Sequence, residues 1–308
     1  MTLQQMEYIV ALNKYRHFVL AAESCGITQP TLSAMIQKLE DELEVKLFDR
    51  SNKSVTPTQI GIKVIQQAQT VINEIHRVKE VIADETGTMK GKLKIGIVPT
   101  VAPYIVPDFI YEFRKAYPDV NLNIDEMKSK VVMDEILLGN IDAAIAISGE
   151  AENNILEIPL YKENFVLYFS ENCAKAIGDI SPDILSEEHM WILKEGHCIK
   201  DAAFSFCKSR AVGHHIYEAG TIDTLIKIVD KNGGYTIIPE LHKNFLSTQQ
   251  LKQIRPIQGV TATTRSISMY IKNDYIRERM LNAIGDTIKK IIPANMIDAH
   301  LMKFGVKL

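Results

Sequence analysis

The sequence predicts two unlike parts in one chain: an N-terminal all-α winged helix-turn-helix extended by a long coiled-coil linker helix, and a C-terminal α/β domain of two subdomains. Three observations predict this. Helical periodicity runs almost unbroken over residues 1 to about 84 and then gives way to alternating strands and helices. A glycine turn at Gly26-Ile27 is followed at once by a capped helix. Past Thr58 the apolar residues step by 4, 3, 4, 3 and 4 positions.

Composition sets the outer bounds. At ~100–200 residues per domain, 308 residues make two or three domains. With 46% hydrophobic and 24% charged positions the chain is globular, neither disordered nor collagenous. A formal net charge of −3, from 35 basic and 38 acidic residues, excludes a uniformly basic coat but not a local basic face. Four cysteines without regular spacing suit a reducing compartment better than an extracellular staple framework. The first seven residues lack a basic stretch leading into an apolar one, and no apolar run approaches the ~20 residues a bilayer requires. The expectation is a soluble, cytoplasmic protein with no membrane partner.

Taken in order, Met6, Ile9, Val10 and Leu12 mark a first amphipathic helix. A second covers about Phe18 to Cys25, with Leu20, Ala21 and Ala22 inward. Thr28 then offers an N-cap hydroxyl, and Pro30 fits the first turn, where its missing N–H has no helical partner anyway. The third helix carries Leu32, Ile36, Leu39 and Leu43 at helical spacing on its buried side. Residues 47–56 read as a small β wing with a polar, partly basic tip. From Thr58 a long helix begins, and Val64, Ala68, Val71, Ile75, Val78 and Ile82 form an a/d seam for dimerisation. The competing reading is an amphipathic helix lying on its own domain.

This divides the chain into a helix-turn-helix domain, expected to bind DNA, at 1–58, a linker and dimerisation helix at 59–84, a hinge at 85–91 and an α/β domain at 92–308. Within the last, strands are expected at 93–98, 120–124 and 142–147, with helices at about 103–116 and 131–138. That βαβαβ run implies a mostly parallel sheet. A similar set follows: strands near 164–169, 191–193 and 235–238, helices after Asp201 and at 221–230, then a strand at 266–271 and a helix from about 275 to 291. Two such halves suggest a periplasmic-binding-protein-like pair, subdomain I at about 92–162 and 267–308 and subdomain II at about 163–266. Ligands in such sheets sit beyond strand C-termini, where Thr100 falls.

A helix-turn-helix presents the first turn of its second helix to base edges in the major groove. Here Gln29, Pro30, Thr31 and Ser33 occupy that turn, and Gln37 lies one turn further on. Glutamine reads adenine bidentately, and hydroxyls serve bases or phosphates. Arg50 and Lys53 in the wing, with Lys14 and Arg16, are candidates for phosphate contacts. Residues 1–60 hold six basic and seven acidic side chains, so Glu40, Asp41, Glu42 and Glu44 are expected to face away from DNA.

By Thr28-Gln29-Pro30-Thr31-Leu32-Ser33, then Ile36, Leu39-Glu40, Leu43 and Leu47-Phe48-Asp49-Arg50, with Phe18, Ala21-Ala22-Glu23 and Thr58-x-x-Gly61, the chain resembles the LysR-type transcriptional regulators over its whole length. Glu44 stands where that family usually has glycine, and Met35 where glutamine is common. A narrower resemblance is to the peroxide-sensing OxyR branch. It rests on residues 196–201, Gly-His-Cys-Ile-Lys-Asp, closed by Phe206-Cys207, and on Pro99-Thr100-Val101-Ala102-Pro103-Tyr104. Thr221–Leu225 leading to Gly234–Pro239 agrees. Ser129 stands where that branch usually has threonine.

The resemblance implies that Cys198 is the peroxidatic cysteine and Cys207 the resolving one, joined by a reversible disulfide. Spacing alone also suits two ordinary buried cysteines. His197, Lys200 and a helix N-terminus at Asp201 would favour thiolate at Cys198. Thiolate attack on an O–O bond gives a sulfenic acid, which a second thiol condenses to a disulfide. Were residues 202–207 helical, closing the bridge to a Cα separation of ~4.4–6.8 Å would require unwinding them. By resemblance, Thr100 and Ser129 orient peroxide.

The expected function is thus a hydrogen peroxide-responsive DNA-binding activator of oxidative-stress genes, not an enzyme, with no cofactor and no metal. Its partners would be double-stranded operator DNA, its own copies as a dimer and tetramer, RNA polymerase as the family implies, and a disulfide reductant. Two alternatives stay open. One is a LysR-type regulator answering a small organic effector between the α/β halves; the other is a thiol peroxidase.

Overall fold

The computed structural model describes residues 1–51, 54–85, 89–151, 153–176, 191–193, 215–217, 221–257 and 264–305. Contacts divide the chain into two compact units, Met1–Thr88 with Leu137–Ile141, and Met89–Ile136 with Asp142–Leu308.

The first unit begins with α1 (Leu3–Tyr15), α2 (Phe18–Ser24) and α3 (Gln29–Leu43). Thr2 and Gln5 form a reciprocal capping box at the start of α1: the Gln5 N–H donates to Thr2 Oγ1 at 3.3 Å and the Thr2 N–H to Gln5 Oε1 at 2.9 Å. Tyr8, Ile9 and Leu12 of α1, Ala21 and Ala22 of α2, and Leu32, Ile36 and Leu39 of α3 share one core with Leu47 and Phe48. Leu20 corrects the expectation that it faces inward: it is 49% exposed. The buried stripe of this short helix is Phe18, Ala21, Ala22 and Cys25, and at 100° per residue Leu20 falls on the opposite side.

Strands β1 (Phe48–Ser51) and β2 (Ser54–Pro57) pair antiparallel as the expected wing, with Asp49 opposite Thr56 and Arg50 opposite Val55. Helix α4 (Gln59–Glu85) follows. Its first half packs on α1, with Ile65 and Ala68 in the shared core and Ile72 also buried. Ala68, expected in the dimer seam, is therefore already used by its own domain. Val64 and Val71 are half-buried beside it, whereas Ile75 and Val78 are 42% and 62% exposed. Burial against its own unit ends after about four turns of this helix, which leaves Ile75 and Val78 exposed in the single chain. Nothing is described of the side chain of Ile82.

In the second unit β3 (Gly91–Ile97) runs parallel to both β4 (Val120–Glu126) and β5 (Ala143–Ile147), with α5 (Ala102–Ala116) and α6 (Ser129–Leu137) as crossovers. This is the expected βαβαβ run. Strand β6 (Ile155–Phe169) is fifteen residues long, whereas the sequence suggested only its end. Residues 155–163 hide their strand character behind Glu157, Pro159, Lys162 and Glu163. Pro159, which has no N–H to give, sits beside a register shift at Ile267/Ser268.

β6 joins two sheet regions. Its residues 155–164 pair antiparallel with β11 (Thr264–Lys272), which pairs antiparallel with β5. Its last residues pair antiparallel with β9 (Tyr235–Pro239) and β10 (Ile254–Pro256). The strands around this second region are thus antiparallel, not a parallel copy of the first; apolar periodicity locates strands but carries no pairing direction. Two short strands, β7 (Trp191–Leu193) and β8 (His215–Tyr217), pair parallel with each other. The remaining helices are α7 (Glu171–Ala176), α8 (Ile222–Asn232), α9 (Thr248–Leu251), α10 (Glu278–Ile291) and α11 (Ala299–Phe304), with a 3-10 helix at Glu240–Phe245. Among the described residues no helix is long and apolar enough to cross a membrane.

Candidate nucleic-acid interface and candidate sensing site

The N-cap of α3 is Thr28, whose Oγ1 accepts from the Thr31 N–H at 3.5 Å and lies 2.8 Å from Thr31 Oγ1. Gln29, Pro30 and Thr31 are exposed on the first turn, and Ser33 is half-buried. Gln37 is half-buried further along, donating to Asp41 Oδ1 at 2.6 Å and accepting from Lys46 Nζ at 3.3 Å. The first turn is exposed, while Gln37 is oriented by its charged neighbours.

Glu40, expected with Asp41, Glu42 and Glu44 to face away from DNA, is 2% exposed. One carboxylate oxygen accepts from the backbone N–H groups of Leu47 at 2.8 Å and Phe48 at 3.1 Å; the other meets Lys46 Nζ at 3.2 Å and Arg50 Nη2 at 3.3 Å. Glu40 therefore ties the end of α3 to the start of the wing. Arg50, a candidate for phosphate, is held by this carboxylate and lies 5.4 Å from the Phe18 ring centroid. Its role in the wing is at least partly to fix it. Gly61 closes the same corner: a Cβ there would sit 2.0 Å from the Leu47 carbonyl oxygen, and Thr58 Oγ1 accepts from the Gly61 N–H at 2.9 Å while donating to the Lys46 carbonyl at 2.7 Å. The Thr58-x-x-Gly61 pattern is a contact requirement of the backbone. Lys53 lies outside the described residues.

In the second unit, Thr100 is buried in the turn after β3. The turn is closed by the Val101 and Ala102 N–H groups, which donate to the Val98 carbonyl at 2.9 and 3.0 Å. Ser129 is half-buried at the first position of α6, just after β4. Because β3 and β4 are parallel neighbours with Ile97 opposite Glu126, both residues lie at the C-terminal edge of the sheet. His197, Cys198, Lys200, Asp201 and Cys207, with the helix expected after Asp201, lie outside the described residues. Cys25 and Cys173 are described and are free thiols.

A polar network surrounds Thr100. Arg265 of β11 donates from Nη2 to the Thr100 carbonyl at 3.0 Å and from Nε to Glu163 Oε1 at 2.7 Å. Arg265 and Glu163 face each other in the β11–β6 register, and both are buried. Glu163 Oε2 also accepts from the Leu241 N–H at 3.4 Å. Burying both charges is tolerable because each is met by its opposite and by backbone groups. One turn into α5, the Tyr104 hydroxyl lies 3.0 Å from His242 Nδ1, with the rings edge to face at 5.7 Å. Asp223 Oδ1 lies 3.7 Å from the other His242 nitrogen. Burial holds the His242 imidazole below its ordinary pKa, opposed by Asp223. Burial likewise raises the Tyr104 phenol, with Arg265 opposing. Glu163, Arg265 and His242 escape a reading of the sequence alone. Two opposite charges at strand edges were visible, but their register was not.

Two family models complete the assignment: that of the LysR substrate binding domain matches residues 86–290, and that of the bacterial regulatory helix-turn-helix proteins, lysR family, matches residues 3–62. The chain belongs to the LysR family. This LysR-family regulator is 32% identical to the hydrogen peroxide-inducible genes activator of Haemophilus influenzae, over 95% of the chain and 99% of the relative. It is 34% identical to the DNA-binding transcriptional dual regulator OxyR of Escherichia coli, over 78% and 80%. Among solved structures, a full-length OxyR variant from Pseudomonas aeruginosa matches 97% of the LysR-family chain and 98% of its own, with a TM-score of 0.78 and 26% identity. Reduced OxyR from Porphyromonas gingivalis matches 71% and 100%, with a TM-score of 0.60 and 26% identity.

Proposed function

We propose that this LysR-family protein is a hydrogen peroxide-responsive transcriptional activator that binds operator DNA as a dimer or tetramer. The observation that carries the reading is its end-to-end similarity to a hydrogen peroxide-inducible genes activator, over 95% of one chain and 99% of the other. Helix α3 reads base edges through Gln29, Thr31 and Ser33, with Gln37 one turn on, while the wing holds Arg50 and Lys53 to the backbone phosphates. Copies associate through the exposed half of α4 around Ile75 and Val78, continuing toward Ile82.

The switch is a two-electron oxidation. The Cys198 thiolate attacks one peroxide oxygen, the O–O bond breaks, and a sulfenic acid and hydroxide result; Cys207 then condenses with the sulfenic acid, releasing water and closing the disulfide. His197 and Lys200 favour the thiolate, and Thr100 and Ser129 orient the peroxide. A cellular dithiol restores the reduced state. The oxidised chain rearranges its contacts with other copies and engages RNA polymerase.

The test is quantitative thiol alkylation before and after micromolar peroxide, read beside an operator footprint. Wild type should lose two thiols and shift its footprint. Cys198→Ser should do neither, and Cys207→Ser should stop at a trappable sulfenic acid. A full response in Cys198→Ser, or a footprint that moves only with an added organic effector, overturns the reading. Operator affinity should fall steeply with salt, by ~10³-fold or more between 50 and 200 mM if six or more phosphates are neutralised.

A further inference from the structure

The Thr100 turn is gripped by two separate handles, both from the neighbourhood of β6 and β9. Arg265, neutralised by Glu163, holds the Thr100 carbonyl. His242, on the 3-10 helix that follows β9, meets the Tyr104 hydroxyl at 3.0 Å from below the first turn of α5. The Tyr104 N–H in turn donates to the Val101 carbonyl at 3.1 Å, so the residue that carries the phenol is also bonded to the turn that presents Thr100. His242 is 2% exposed and is fixed on its other side by Phe245, 5.9 Å between centroids, and by Asp223.

We infer that His242 is a positioning residue of the sensing site: through its hydrogen bond to Tyr104 it fixes the Thr100 turn of β3–α5 against the sheet region built on β6 and β9. It touches no peroxide itself. The inference deepens the peroxide reading of the same site and rests on it for the consequence, though not for the mechanics. Both partners lie on elements far apart in the chain, Tyr104 after β3 and His242 after β9, so the bond joins the two regions that β6 spans. Losing one hydrogen bond in the upper part of the usual net range has a cost equivalent to about five- to tenfold in a rate or opening constant.

The experiment uses the full-length reduced protein with His242→Phe, His242→Gln and Tyr104→Phe, and two readouts. Phenylalanine keeps the ring packing on Phe245 and removes the nitrogen; glutamine keeps a polar group that can reach the phenol. Hydrogen exchange at the Val101, Ala102 and Tyr104 amides should accelerate about five- to tenfold in His242→Phe and Tyr104→Phe, without loss of global protection, and return toward wild type in His242→Gln. The rate of peroxide-induced thiol loss should fall by a similar factor in the first two variants and recover in the third. The double variant His242→Phe/Tyr104→Phe should be no worse than either single one. Affinity of the reduced protein for operator DNA should not change.

Unchanged exchange in His242→Phe overturns the inference whatever the signal proves to be. Accelerated exchange with an unaltered rate of thiol loss overturns its link to sensing. Thiols of the wild type that ignore peroxide overturn the peroxide reading instead, and the exchange data still decide the mechanical claim.

Discussion

Glu44 shows how a single residue carries a backbone cost. It caps α3 with φ at +55°, in the left-handed region where a Cβ crowds the following carbonyl. The LysR-type pattern has glycine there, and the structure supplies the reason. Glu44→Gly should stabilise the protein by about 0.5–1 kcal/mol, seen as a higher urea midpoint at unchanged slope. Glu40, three residues before Leu43, makes the opposite point. Nothing in the run Glu40-Asp41-Glu42 sets it apart from its neighbours, yet it accepts two backbone N–H groups and pairs with Lys46 and Arg50. Glu40→Ala should cost about 2–4 kcal/mol and should loosen the wing, read as faster exchange at the Leu47 and Phe48 amides.

Helix α4 is buried unevenly along its length. Ile65 and Ala68 belong to the same core as α1, while Ile75 and Val78 stay exposed in the single chain. Ile75→Asp combined with Val78→Asp should abolish self-association in sedimentation while leaving the melting of the first unit within about 2 °C. Ile65→Ala should instead lower stability by about 2–4 kcal/mol, with association intact. Equal effects from both changes would mean that the seam and the core are one surface. The a/d spacing of this helix was plain in the sequence, and so were the capped α3, the wing and the βαβαβ run. Which rows of α4 face home and which face outward was not, because Ile65 and Ile72 are offset from Val64 and Val71 by one residue only. Local periodicity cannot choose between adjacent stripes when both are apolar.

At the scale of the whole molecule, the buried imidazole of His242 links stability to pH. Its pKa is lowered in the folded protein, so between that value and the unfolded value near 6.5 the unfolded chain binds the extra proton. Stability contributed by a neutral His242 is therefore complete above about pH 6.5 and declines as pH falls through the folded-state pKa. Chemical denaturation of the reduced protein from pH 7.5 to 5 should show this decline, and His242→Gln should flatten it. A slope unchanged by His242→Gln would assign the decline to other groups.

The chain order by itself determined the kinds of elements and most of their borders, the capped start of α3 at Thr28–Ser33, and the LysR family to which they add up. These are local properties: cap hydroxyls, glycine turns and apolar spacing act within a few residues. Folding in three dimensions alone decided which charges meet. Arg265 finds Glu163 across 102 positions and Thr100 across 165, and Tyr104 finds His242 across 138. Such partners are chosen by strand register and by the passage of β6 between two sheet regions, and neither is written into the periodicity of any one segment.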